Sequence, residues 1–176
     1  MSPSAPDHPP GSPKAPPFRI SVIGAGEASP EECRLAESVG RFLAEAGAIV
    51  VTGGLGGVME AASRGCQEAG GRTVGFLPGR DVSGANRWVE LPIATAMGES
   101  RNSLVVRAGE AVVAIGGSWG TLSEIALARK MGRSVVLLGT PPVPLPLPKA
   151  KQPEEAAAWA IHQAEKHRTE GSPESF

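Results

Sequence analysis

Three groups of glycines stand where apolar runs give way to helical patterns. They are Gly24 and Gly26; Gly53, Gly54, Gly56 and Gly57; and Gly116, Gly117 and Gly120. Glycine lets a backbone approach an anion closely and takes positive φ without strain. A helix that follows presents unpaired N–H groups and a partial positive charge. The chemistry this pattern suits is phosphate binding. One such cluster is equally well explained by a short turn that needs glycine anyway; three gathered on one sheet edge favour a ligand.

Two charged residues stand beside these turns. Arg101 follows Gly98 in a segment that reads as helix to Ala108, with Met97, Leu104, Val105 and Ala108 on the inward stripe. An arginine in that stripe wants a carboxylate or a phosphate; the other reading is a snorkelling side chain whose head reaches water. Glu124 closes Thr121-Leu122-Ser123-Glu124, the spacing of a capping box, which would employ it structurally. The same position also sets a carboxylate beside the Gly116–Gly120 turn. Glu60, early in the helix after Gly57, reads as a dipole-complementing residue, and Asn86 and Arg87 as surface loop.

Several other chemistries are disfavoured. Gly24-Ala25-Gly26-Glu27-Ala28-Ser29 has serine where the dinucleotide fingerprint has its third glycine, and no acidic residue ends the second strand to hold a ribose. No glycine cluster is followed by Lys-Ser/Thr, so the Walker pattern is absent. His8, His162 and His167 lie far from every glycine turn, which argues against a zinc site or a histidine-based triad. Cys33 and Cys66 belong to no CxxC pair and fall on helical apolar stripes, as buried, inert thiols.

The elements that must position these residues alternate. Apolar strands are expected over 18–23, 48–51, 73–77 and 111–115, with a weaker one around 89–95 and a final one over 134–138. Helices are expected from Ser29-Pro30-Glu31-Glu32, after Gly57, from Gly98, from the Gly116–Thr121 turn to Lys130, and from Pro153 toward His167. Strands apolar throughout and separated by helices imply a parallel sheet covered on both faces, a doubly wound Rossmann-like α/β fold. Residues 1–17, rich in Pro and Ser, read as a disordered tail, 18–168 as one domain, and 169–176 as a frayed end. Pro141 to Pro148 is expected to run extended over the surface.

At 176 residues, 41% hydrophobic, with a formal net charge of −1, the chain fits one domain with a real core. The charge balance, without a Lys/Arg cluster, argues against nucleic-acid binding. No apolar run approaches the ~20 residues of a membrane span. A reducing, cytoplasmic setting is expected.

The ordered set Thr52-Gly-Gly-Leu-Gly-Gly-Val-Met-Glu-Ala-Ala, Gly75-Phe-Leu-Pro-Gly79, Met97-Gly-Glu-Ser-Arg-Asn102 and Gly116-Gly-Ser-Trp-Gly-Thr-Leu-Ser-Glu124 resembles the molybdenum cofactor carrier proteins. These stand within a wider group that includes the LONELY GUY cytokinin-activating phosphoribohydrolases, often mislabelled lysine decarboxylases. The resemblance spans about 18–140. It implies a Rossmann-like fold, a homo-oligomer (commonly a dimer), and a pocket for a nucleotide-like or pterin-phosphate ligand. By the same resemblance, Arg101 and Glu124 fall on the hydrolases' catalytic Arg and Glu, and the Gly116–Thr121 turn on their phosphate site. Ser118 stands where those enzymes have glycine, and its hydroxyl offers a donor. Asn102 and Ser123 replace the hydrolases' Lys and first Glu, and look more like the carrier branch. Two functions follow from the resemblance. One is a binding protein for the molybdenum cofactor or a nucleoside monophosphate, with no cofactor required; the other is a phosphoribohydrolase releasing the base from a nucleoside 5′-monophosphate. A scaffold that docks a partner through 141–148 and the Trp159 helix is a third class.

Overall fold

Every residue of β5 (Ala111–Ile115) is buried, which is tenable only inside a sheet covered on both sides. The computed structural model describes residues 15–170 and places β5 beside β1 (Arg19–Gly24). β2 (Ile49–Thr52), β3 (Arg72–Leu77) and β4 (Leu91–Ala94) extend the sheet on one side of β1; β6 (Ser134–Leu138) and β7 (Lys149–Ala150) extend it beyond β5. The order is β4-β3-β2-β1-β5-β6-β7, with every pairing parallel.

Alternating strand residues feed two cores. Ile20, Val22, Val50, Ala111, Val113 and Ile115 pack under α1 (Pro30–Glu45), α2 (Val58–Glu68) and α5 (Pro153–Glu170). Ile23, Val51, Val112 and Ala114 pack under α3 (Asn102–Ala108) and α4 (Trp119–Lys130). The doubly wound Rossmann-like architecture read from the sequence is therefore the observed one.

α1 starts as its sequence dictates. Ser29 caps it, Pro30 opens it, and the Glu32 carboxylate returns to the Ser29 N–H at 2.8 Å. Elsewhere the structure corrects the sequence reading. The segment after Gly98 is a 3₁₀ turn (Gly98–Arg101) before α3 begins at Asn102. Met97 therefore leaves the inward stripe and stands exposed, while the Gly98 N–H is held by Pro78 O at 3.0 Å. β6 is not the last strand, since β7 pairs with it through Leu137 and Leu138. The 141–148 segment is neither helix nor strand, but Leu145 and Leu147 pack against the α3/α4 core. Trp159 packs against the other core, and Cys33 is only half-buried where Cys66 is fully so.

At the N-terminal edge of the sheet, buried Glu110 accepts from the Arg19 N–H at 2.9 Å and from Arg168 Nη2 at 2.9 Å. Arg168 also donates to the carbonyls of Pro16 and Pro17 at 2.6 and 2.8 Å, and lies 4.2 Å over the Phe18 ring. α5 is thus tied to the residues that lead into β1. Residues 1–14 of the expected tail, and 171–176 of the expected frayed end, lie outside the described residues.

Candidate functional site

The chain winds outward from β1 to β4, then returns to lay β5 against β1's other side. The strand order reverses there, so the turns leaving β1 and β5 diverge and leave a crevice at their carboxyl ends. That crevice is a cleft of about 960 Å³, larger than the 620 Å³ groove between α1 and α2. Its wall includes Gly24, Arg101, Asn102, Ser118, Gly120, Thr121 and Glu124. Gly53, Gly54, Gly56, Gly57, Gly116 and Gly117 are not in that wall and shape the turns behind it.

Arg101 is the most buried charged side chain of the cleft wall. It is 7% exposed, and Nη2 donates to Gly53 O at 3.4 Å. A Cβ at Gly53 would stand 2.7 Å from Nη2, so the glycine makes room for the guanidinium. Among the described residues, the buried Nε of Arg101 and Oδ1 of Asn102 meet no hydrogen-bond partner. Burial lowers the Arg101 pKa, with Glu124 and Glu99 pulling it back up. A buried guanidinium with an unused donor, facing a cleft, suits an anionic ligand.

Glu124 shares that wall and is 8% exposed. Burial pushes its pKa up to about 7, against the lowering pull of Arg101. The capping box expected to employ it lies elsewhere. α4 begins at Trp119, and the reciprocal cap joins Ser118 to Thr121, whose Oγ1 accepts from the Ser118 N–H at 3.3 Å. Glu124 is therefore one turn too deep to cap the helix, and stands buried without that structural employment. Its titration near neutrality leaves both protonation states accessible.

The β5–α4 turn also differs from expectation in which amides are open. The Gly116 N–H donates to Leu138 O at 2.9 Å and the Gly117 N–H to Glu32 Oε1 at 3.3 Å. Gly117 is glycine because its φ is +125° and a Cβ would stand 2.6 Å from Thr121 Cβ. Among the described residues, the N–H groups of Trp119 and Gly120 donate to no protein acceptor. Those two, at the α4 N-terminus, are the backbone donors left open beside the cleft.

Two supporting residues carried weaker signals. Asn86, expected as plain surface loop, donates from Nδ2 to Gly54 O and Leu55 O at 3.1 and 2.8 Å and braces the β2–α2 turn. Glu32 was legible as an α1 cap, but its bond to Gly117, 85 positions away, was not. Glu60 is half-buried in the first turn of α2 and is not in the cleft wall. Trp119, unassigned from the sequence, lines the cleft. Among the described residues, no group of three or more His, Cys, Asp or Glu is placed to hold a metal, and no helix is long and apolar enough to cross a membrane.

A parallel doubly wound sheet with a crevice at its switch point, walled by Arg101, Glu99, Glu124 and the start of α4, defines a Rossmann-like α/β protein. The chain belongs to the SLOG cluster4 family, which matches residues 17–170. An uncharacterized protein of Archaeoglobus fulgidus is 42% identical over 149 residues, 85% of this chain and 98% of that one. The molybdenum cofactor binding protein of Rippkaea orientalis superposes with a TM-score of 0.79 at 32% identity, covering 85% of this chain and 98% of that one. The molybdenum cofactor carrier protein of Chlamydomonas reinhardtii gives 0.77 at 34% identity, covering 86% and 99%. The resemblance to the carrier proteins, read from four sequence segments, thus extends to the whole described fold.

Proposed function

We propose that this protein binds a phosphate-bearing nucleotide-like or pterin ligand in the switch-point cleft, as a carrier of the molybdenum cofactor type. One observation carries the reading: Arg101, 7% exposed, stands in the cleft wall, and its buried Nε meets no partner among the described residues. The open Trp119 and Gly120 amides stand in the same wall and supply the second half of an anion site. In this arrangement the guanidinium and the α4 N-terminus hold the phosphate, Asn102 shapes the wall beside them, and Glu124 adjusts its proton to the bound charge. The named carrier proteins of similar structure support the pterin-phosphate class.

The test is calorimetric titration with the molybdenum cofactor and with AMP. Arg101→Met should weaken binding about 10- to 100-fold, the loss of a charge-assisted hydrogen bond. Binding unchanged by Arg101→Met, or no binding to the wild type at millimolar ligand, refutes the reading. Base release from AMP, followed in the same samples, separates carrying from hydrolysis. Carrying predicts none; release that disappears in Glu124→Gln would replace it with phosphoribohydrolase activity.

A further inference from the structure

Trp119 is 80% exposed, the most exposed of the large hydrophobic side chains among the described residues. The chain's other two tryptophans are accounted for: the Arg87 guanidinium lies 4.9 Å over the Trp88 ring, and Trp159 packs against a core. Trp119 stands instead at the first position of α4, in the wall of the same cleft as Arg101 and Glu124. Its own N–H and that of Gly120 are the open amides of the anion site. Gly120, itself exposed, carries no side chain that would separate the indole from those donors.

We infer that the Trp119 indole is a stacking platform for a flat heterocycle, so that the cleft selects phosphorylated ring compounds over phosphorylated sugars. The inference rests on the anion site proposed above and adds the element that reads the rest of the ligand. An aromatic face left in water beside a phosphate site gains by covering itself with another π-face, and base–aromatic stacking tolerates many heterocycles because each has one. The cleft, at about 960 Å³, has room for ring and phosphate together. The occupant is thus a planar heterocycle joined to a phosphate, a class that includes purine mononucleotides and pterin phosphates.

AMP and ribose 5-phosphate carry the same phosphate with and without a ring, and they form the test. Each is titrated calorimetrically into the full chain, Trp119→Ala and Trp119→Phe. Trp119→Ala should weaken AMP about tenfold, equivalent to about 1.4 kcal/mol. It should leave ribose 5-phosphate within about twofold, and Trp119→Phe should restore most of the AMP affinity. Retained ribose 5-phosphate binding shows that the variant is folded with its anion site intact. Equal loss of both ligands, or no loss of AMP, overturns the platform while leaving the anion site standing. Failure of both ligands to bind the wild type overturns the anion site and the platform with it. Sedimentation of the same samples covers the other occupant: a lower assembly state in Trp119→Ala with AMP affinity unchanged assigns the indole to a contact between copies and overturns the inference.

Discussion

Replacing Glu124 by glutamine should make this protein more stable, and the gain should depend on pH. Burial holds the Glu124 pKa at about 7, well above the ordinary 4.5. A folded-state pKa above the unfolded one means that the folded chain keeps a proton the unfolded chain has released. Below about pH 4.5 the carboxyl is neutral in both states and costs nothing. Between 4.5 and about 7 stability falls as pH rises, and above about 7 the full penalty of an ionised, buried carboxylate applies. At about 1.4 kcal/mol per pH unit, the rise amounts to roughly 3 kcal/mol. The pull of Arg101 is already contained in it. Glutamine reproduces the neutral form at every pH. Urea unfolding at pH 8.5 should therefore place the Glu124→Gln midpoint about 1–2 M above the wild type, with the two converging near pH 4. A constant offset between the variants, or a less stable Glu124→Gln at pH 8.5, would refute the assignment of Glu124 as a buried, cap-free carboxylate. The same ionisation bears on the proposed function. A phosphate brought to the cleft raises the Glu124 pKa further, so binding should take up protons and weaken above about pH 7.

Two further outcomes concern the supports of the site and of the domain. Glu110→Gln should cost about 1–2 kcal/mol at pH 7, a figure reduced because Arg168 is partly exposed. Burial raises the Glu110 pKa, but the bonds from Arg168 and the Arg19 N–H outweigh it and hold the pKa below 4.5. Its contribution is complete above 4.5 and is lost as pH falls through the lower folded value, so thermal melts of wild type and variant should draw together as the pH is taken below the ordinary carboxylate range. Glu32→Ala removes half of the α1 capping box and the acceptor for the Gly117 N–H, and should cost about 1–2 kcal/mol. Hydrogen exchange should show the Gly117 amide losing its protection in that variant, an effect that simple fraying of α1 would not produce.

The parts of this structure legible in the sequence are those set by local pattern. The apolar runs of β1, β2, β3, β5 and β6 and the Ser29–Glu32 cap are decided by neighbours within a turn or two. The glycine clusters fell on strand ends for the same reason, and Arg101 and Glu124 came together at one cleft because both follow strands on the same sheet edge. What stayed hidden depends on distant partners. β7 is two residues long and exists only because β6 offers it an edge. The α4 cap was read three residues late, since Ser118-to-Thr121 and Thr121-to-Glu124 both fit a capping spacing, and the turn geometry chose the first. The 3₁₀ turn at Gly98 follows from the hold of Pro78 and Gly79 on the preceding loop. The strand order, and with it the nearness of Glu32 to Gly117, could not be seen until β1 and β5 were side by side.

The carboxylate of Glu32 behind the β5–α4 bend has a consequence for what the crevice can discriminate. Pyrophosphate-gripping bends leave successive peptide hydrogens vacant to chelate two linked phosphoryl groups. Here the hydrogens at 116, 117 and 118 are already consumed by Leu138, Glu32 and Thr121. Under the proposed reading, a monoester takes the amides of Trp119 and Gly120, whereas a second phosphoryl group at the bend would meet peptide that is already hydrogen-bonded. On that reading the bend favours ligands with a single phosphoryl group.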